Sequence, residues 1–496
     1  MKLLFKRYPV FFGLTVFLRP VIIQAMSTPV SYYSTRGQKD QPMSFTDVLL
    51  AGLAPDGGLY VPDRWPRLDR VDFAAMAGLS YADIAWRVMK PFMGDSLDDA
   101  AFQRIIYDCY DRPVFDHTAI APLVQIGPNA WIMELWRGPT LAFKDYALQL
   151  LGRLFDYVLE REDRRVTIIG ATSGDTGSAA IEALKSCRRI DIFILHPEGR
   201  TSDVQRRQMT TVHAPNVHNI ALQGTFDDCQ ALVKEMFADE AMRRDLGLSA
   251  INSINWVRLT AQIVYYVAAT VALGGPHRPV SFAVPTGNFG NVFAAWMART
   301  MGLPVEQIIL GSNRNDILTR FFETGAMTRG DVVPSLSPSM DIQVSSNFER
   351  YLHHLLSGDS EQVTALMTQF RETGSFALDR ALTTRAQADF TAARCSEDDT
   401  LTTMRECYAA TGYLIDPHTA VGLHAAQQQH KDPAIPVVIP ATAHPAKFPA
   451  AVKQAVGFEP SVPERLAAAL AGEERFTVLP KDLDHVKNFV KEHAGK

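Results

Sequence analysis

Three times along this 496-residue chain a short apolar run ends in a turn built from glycine, hydroxyl and other small residues. Val166-Thr167-Ile168-Ile169-Gly170 leads into Ala171-Thr172-Ser173-Gly174-Asp175-Thr176-Gly177 and then the helical pattern Ser178-Ala179-Ala180-Ile181-Glu182-Ala183-Leu184. Val280-Ser281-Phe282-Ala283-Val284 leads into Pro285-Thr286-Gly287-Asn288-Phe289-Gly290-Asn291 and then Val292-Phe293-Ala294-Ala295-Trp296-Met297-Ala298. Pro436-Val437-Val438-Ile439-Pro440 leads into Ala441-Thr442-Ala443-His444-Pro445-Ala446-Lys447-Phe448. Continuous apolar runs suit strands buried on both faces, and their alternation with helices predicts an α/β architecture with mostly parallel strands.

Small residues at a strand-to-helix turn leave backbone N–H groups unobstructed at a helix N-terminus, where the dipole favours an anion. The first turn reads as a seat for a substrate carboxylate, with Thr172, Ser173, Gly174 and Thr176 as its residues. The second reads as a cup for a cofactor phosphate, formed by Gly287, Asn288, Phe289, Gly290 and Asn291 without the lysine and hydroxyl of a Walker loop. In the third, Thr442 offers a hydroxyl that can hydrogen-bond a pyridine nitrogen without forcing it to stay protonated. A fourth segment, Gly138-Pro139-Thr140-Leu141-Ala142-Phe143-Lys144-Asp145-Tyr146-Ala147, sets Lys144 among apolar neighbours just as a helical pattern begins. Desolvation favours the neutral amine needed to form a Schiff base, which is the chemistry of pyridoxal phosphate enzymes. Taken alone, Lys144 also fits a lysine whose stem packs while its head reaches solvent.

A formal net charge of -5 with no basic tract argues against nucleic acid as the main partner. The five cysteines, Cys109, Cys187, Cys229, Cys395 and Cys407, lack CxxC spacing. They indicate neither a disulfide framework nor a zinc site, and a reducing, cytoplasmic setting is expected. No metal is expected, because His418 and His444 belong to no ligand cluster and read as structural. Thr225 and Asp416 read as helix caps, the latter followed by Pro417 at the first helical position.

In this order the motifs resemble the threonine synthase family, fold type II pyridoxal phosphate enzymes akin to tryptophan synthase β, in its longer fungal-like and proteobacterial-like branch. The resemblance takes in Tyr33-Ser34-Thr35-Arg36-Gly37, Gly52-Leu53-Ala54-Pro55-Asp56-Gly57-Gly58-Leu59-Tyr60-Val61-Pro62 and Asn252-Ser253-Ile254-Asn255-Trp256-Val257-Arg258. It continues through Ser339-Met340-Asp341-Ile342-Gln343-Val344-Ser345-Ser346-Asn347-Phe348-Glu349-Arg350 to the Thr442 segment, nearly the whole chain beyond residue 25. It implies an N-terminal helical domain at 26–105, a large cofactor-binding α/β domain at 106–144 and 251–465, a smaller α/β domain at 145–250, and a C-terminal segment at 466–496.

The resemblance further implies pyridoxal 5′-phosphate as cofactor, O-phospho-L-homoserine as substrate, and a monomer or homodimer with no membrane partner. Lys144 would hold the cofactor and then act as a mobile base. Phosphate would leave by γ-elimination and water would add at Cβ, giving L-threonine in the last step of its biosynthesis. Thr172, Ser173, Asn255 and Arg258 are the implied candidates for the substrate phosphate. Two positions depart from the pattern. Asp175 stands where related lyases carry an asparagine facing the cofactor's 3′-oxygen, and an ionised aspartate beside a phenolate is unfavourable unless a proton is shared. Arg137 stands where many synthases have histidine, adding an anion contact or an ion pair. A phospho-lyase releasing 2-oxobutanoate, or a non-catalytic ligand-binding relative, would carry much of the same framework. Serine and threonine dehydratases would lack the Asn252 to Arg258 and Ser339 to Arg350 signatures.

At the other end of the chain, Lys2, Lys6 and Arg7 precede the apolar run Pro9 to Leu18, which Arg19-Pro20 interrupts. The run is too short to span a bilayer. Because the family resemblance starts just after Met26, residues 1–25 read as a misread start or a targeting extension.

Overall fold

A computed structural model describes residues 30–172 and 174–495. The expectation for residues 1–25 and the candidate site residue Ser173 therefore lie outside the described residues. Six strands form a large sheet in the order Thr391–Arg394, Val305–Ser312, Val280–Pro285, Val437–Ala441, Ala130–Glu134, Leu123–Gln125. All neighbours are parallel except the terminal hairpin. A smaller, wholly parallel sheet runs Thr477–Pro480, Val217–Gln223, Ile190–Pro197, Val166–Ala171, Leu248–Ser249. The architecture is the expected fold type II arrangement of two mostly parallel sheets and a helical N-terminal region. Every residue of Val280–Pro285 and Ile190–Pro197 is buried, as strands covered on both faces require. Each of the three turns stands at the C-terminal end of a parallel strand, where open α/β sheets form their ligand crevices.

A strand far along the chain from the rest of the smaller sheet completes that sheet. Thr477–Pro480 pairs with Val217–Gln223, and Val486 and Val490 of the helix Leu483–His493 pack beneath it with Phe193 and Ile220. In the N-terminal region, helix Phe45–Ala51 starts at a capping box in which Ser44 Oγ accepts from Asp47 N at 3.2 Å and Asp47 accepts from Ser44 N at 3.0 Å. Thr225 and Asp416 are helix N-caps, as the sequence predicts.

Helix Trp256–Ala272 organises the site. It is apolar almost all round, which places it in the interior, and Trp256 meets the rings of Tyr32, Trp65 and Phe92 at 5.7–6.2 Å. Helices Tyr81–Met93, Lys144–Arg161 and Gly290–Thr300 all pack on it. Arg258, Lys144 and the Gly287 cup are thus mounted on elements that share one core.

Candidate active site

Lys144 is the first residue of helix Lys144–Arg161, and the loop that delivers it is tightly built. Leu141 takes a left-handed φ of 59°. Thr140 donates its N–H and hydroxyl to the Asp145 carboxylate at 2.8 and 2.7 Å. Gly138 is required at its position because a Cβ there would collide with the Asp145 side chain. Burial raises the Asp145 pKa to about 6, with the Thr140 bonds opposing. The folded value lies above the unfolded one, so this stabilising contribution is complete below about pH 4 and is lost as pH rises through the folded value. Asp145→Asn cannot titrate. It is expected to flatten the fall in thermal midpoint between about pH 4 and 7, and a profile identical to wild type would contradict this assignment.

The Lys144 amine lies 3.6 Å from Asp175 Oδ2, with its side chain only 11% exposed. Burial lowers its pKa; Asp175 opposes, while Lys447 and Arg258 reinforce the shift. Asp175 is itself buried, which works against its charge, yet Lys447 and Lys144 outweigh that and hold it well below the usual carboxylate range. Its Oδ1 accepts from Lys447 Nζ at 2.7 Å and Gln205 Nε2 at 3.0 Å, and its Oδ2 from Ser339 Oγ at 3.4 Å. Behind Ser339, the Ser339 N–H donates to His418 Nε2 at 3.2 Å, and His418 Nδ1 faces Asp416 Oδ2 at 2.7 Å. Because Nε2 accepts, the ring proton lies on Nδ1. His418 thus positions a loop, as does His444, whose Nδ1 accepts from Ala446 N at 3.1 Å.

The cup joins this network from the other side. Gly287 lies where a Cβ would stand 3.1 Å from Ser339 O and 3.2 Å from Met340 Cα. The Asn288 carbonyl accepts from the N–H and side-chain amide of Asn347, both at 3.1 Å, and its Oδ1 accepts from Ser346 Oγ at 3.3 Å. Phe289 is left-handed at φ 63°, a conformation costing about 1–3 kcal/mol for such a residue, and its buried ring is held among Phe348, Phe390 and Tyr351. Helix Gly290–Thr300 then begins with no side-chain cap, leaving its first N–H groups available to an anion.

The other candidate residues are held as follows. The Phe289 side chain turns into the aromatic core, and its backbone remains in the turn. Asn291 Oδ1 accepts from Tyr265 and Tyr266 hydroxyls, the latter at 2.8 Å, fixing its side chain against helix Trp256–Ala272. Asn255 is spent on structure: its Oδ1 caps Val257 N at 3.1 Å and its amide donates to Leu49 O at 3.0 Å. Thr172 Oγ1 accepts from Gly174 N at 3.0 Å and Gly177 N at 2.9 Å, which shapes the turn. Gly174, at φ 148°, begins helix Asp175–Leu184, and Thr176 is half-buried. Thr442 receives Phe143 N on its carbonyl at 2.9 Å, tying the Lys144 loop to its strand, and its hydroxyl makes no hydrogen bond among the described residues. Arg137 resolves as an ion pair with Glu134 at 2.5 Å and Asp116 at 3.6 Å.

Arg258 is 3% exposed and, apart from Nη1 donating to Ile251 O at 3.2 Å, makes no side-chain hydrogen bond among the described residues. Burial pushes its pKa down to about 10. Such a guanidinium needs an anion. Lys447, Gln205 and Ser339 were not assigned to the site by sequence reasoning. For Lys447 one signal existed, a lysine within the small and apolar Ala441 to Phe448 segment. A cleft of about 610 Å³ lined by Gln149, Arg153, Asp156, Glu182 and Arg465 holds none of the candidate site residues.

Residues 31–110 match the family description "Threonine synthase N terminus", residues 111–442 "Pyridoxal-phosphate dependent enzyme", and residues 419–490 "Threonine synthase, C-terminal". The chain belongs to the threonine synthase family. It is 51% identical to a threonine synthase of Pseudomonas aeruginosa over 94% of this chain and 99% of that one. Among solved structures, pyridoxal phosphate-bound threonine synthase from Brucella melitensis superposes with a TM-score of 0.91 at 47% identity, covering 94% of this chain and all of the other. Yeast threonine synthase follows at 0.89 and 37%, covering 93% and 98%. As in this family, the cofactor is pyridoxal phosphate, and the residues present fit it: a helix N-terminus with no side-chain cap, a cradle at Gly287 that a Cβ would crowd, and a buried lysine. No described helix is long and apolar enough to cross a membrane.

Proposed function

We propose that the protein converts O-phospho-L-homoserine and water into L-threonine and phosphate, a small-molecule reaction of the cytoplasm that its five free cysteines suit. The observation that carries the reading is the convergence of a desolvated Lys144 with Arg258, a buried cation in search of an anion. Bound pyridoxal phosphate supplies an electron sink for charge developing beside the substrate nitrogen. Lys144 Nζ would hold the cofactor and, as a poorly solvated amine beside the substrate, would take the Cα proton as a general base. The same mobile amine serves the later proton transfers at Cβ and Cγ. The backbone of Gly287 to Asn291 and the N-terminus of helix Gly290–Thr300 hold the cofactor phosphate. Thr442 would hold the cofactor's ring nitrogen, and Asp175 would stand by its ring oxygen.

The turn of Thr172, Ser173, Gly174 and Thr176, at the N-terminus of helix Asp175–Leu184, is the proposed seat of the substrate carboxylate. Arg258 binds the phosphate that departs from Cγ. We assign the cofactor to the crevice between the two sheets.

Charge-assisted hydrogen bonds contribute about 1.5–3 kcal/mol each, so Arg258→Met is expected to raise KM for O-phospho-L-homoserine by about 100-fold. The visible band of the loaded enzyme should persist. Steady-state kinetics check this, and an unchanged KM would remove Arg258 from the substrate site.

A further inference from the structure

Lys447 takes no part in the chemistry above, yet its side chain is 0% exposed and its amine touches two groups, Asp175 Oδ1 at 2.7 Å and Thr140 O at 2.9 Å. A buried ammonium is costly unless paired, and its pairing partner is the one carboxylate that also faces Lys144. Thr140, which belongs to the Lys144 loop, joins the two, and Gln208 Nε2 donates to the same carbonyl at 3.0 Å. Among the described residues the charged groups acting on Lys144 are Asp175, Lys447 and Arg258, with Asp145 adjoining through Thr140. Gln205 and Ser339 complete the shell of Asp175 without adding charge.

We propose that Lys447 is a positioning residue for the reaction: by clamping Asp175 Oδ1 it aims Oδ2 at Lys144 and cancels the carboxylate's charge, so that the pair meets the cofactor's ring oxygen as a neutral unit. The ion pair thereby does with two side chains what a single neutral amide does at that position in related lyases. It removes the conflict of an aspartate facing a phenolate. The inference rests on Lys144 being the cofactor lysine.

The test is the pH titration of the visible absorbance band of the loaded enzyme, compared across Lys447→Met, Lys447→Arg, Asp175→Asn and the Lys447→Met/Asp175→Asn double variant. Loss of the cation leaves Asp175 uncompensated and should raise the titration midpoint by about one pH unit or more; loss of the anion should lower it by a similar amount. The double variant should return close to wild type, and Lys447→Arg should keep the wild-type midpoint. For any variant that fails to take up cofactor, reductive methylation of Lys144 in the unloaded protein, followed against pH by mass spectrometry, should give the same ordering. A Lys447→Met midpoint equal to wild type in both assays, or single variants moving in the same direction, would overturn the proposal. Wild-type protein that takes up pyridoxal phosphate without developing the band would instead overturn the lysine assignment beneath it.

Discussion

Lys144→Ala is expected to lower threonine formation by at least about 1,000-fold while the protein keeps its fold. The loss is large because one amine both anchors the cofactor and moves the protons, so no second base stands ready when it is gone. The fold should survive because the amine is already poorly solvated and Asp175 retains Lys447 and Gln205 as partners. Removing Lys144 therefore does not leave Asp175 unpaired, and the urea midpoint should remain close to that of wild type. Circular dichroism and urea unfolding beside the activity assay separate the two effects. An inactive and unfolded variant would show that Lys144 is needed for architecture, contrary to this account.

The second large effect is expected at Arg350. Its guanidinium is completely buried and donates to Tyr60 O at 2.8 Å, Ile254 O at 2.6 Å and Asn347 Oδ1 at 2.5 Å, while lying 5.5 Å from the Trp256 ring centroid. Those acceptors come from the N-terminal region, the segment before Trp256 and the loop bracing the cup. Next to it, Glu349 accepts from Arg36 at 2.9 and 2.7 Å and from Thr35 at 2.6 Å, adding a second tie to the N-terminal region. Arg350→Ala strands three acceptors without water, at about 1–3 kcal/mol each. A destabilisation of about 4 kcal/mol is expected, with weaker cofactor retention because Asn347 braces the Asn288 carbonyl. Lysine cannot reproduce three directed bonds, so Arg350→Lys should recover little. Urea unfolding and equilibrium dialysis of the cofactor measure the two consequences. Wild-type stability in Arg350→Ala would contradict the clamp.

The parallel sheets and the three turns were legible because fully buried strands write themselves as unbroken apolar runs, and an anion site at a helix N-terminus needs small residues at a fixed place. Lys144 was legible for a related reason, a charge set where the local pattern is apolar. The hidden features depend on what a side chain meets across the fold. Asn255, Asn291 and Thr172 carry groups suited to a ligand, but tertiary contacts engage them with Leu49, Tyr265, Tyr266 and the backbone of their own turn. Lys447 and Asp175 lie 272 positions apart, and nothing local to either marks the 2.7 Å pair between them. Thr477–Pro480 alternates half-buried and exposed positions at a sheet edge, too weak a pattern to announce a strand.

The most direct test of the central claim is to incubate the purified, cofactor-loaded protein with O-phospho-L-homoserine and assay phosphate, threonine and 2-oxobutanoate together. One threonine is expected for each phosphate, with both lost in Lys144→Ala. Phosphate accompanied by 2-oxobutanoate in place of threonine would contradict it.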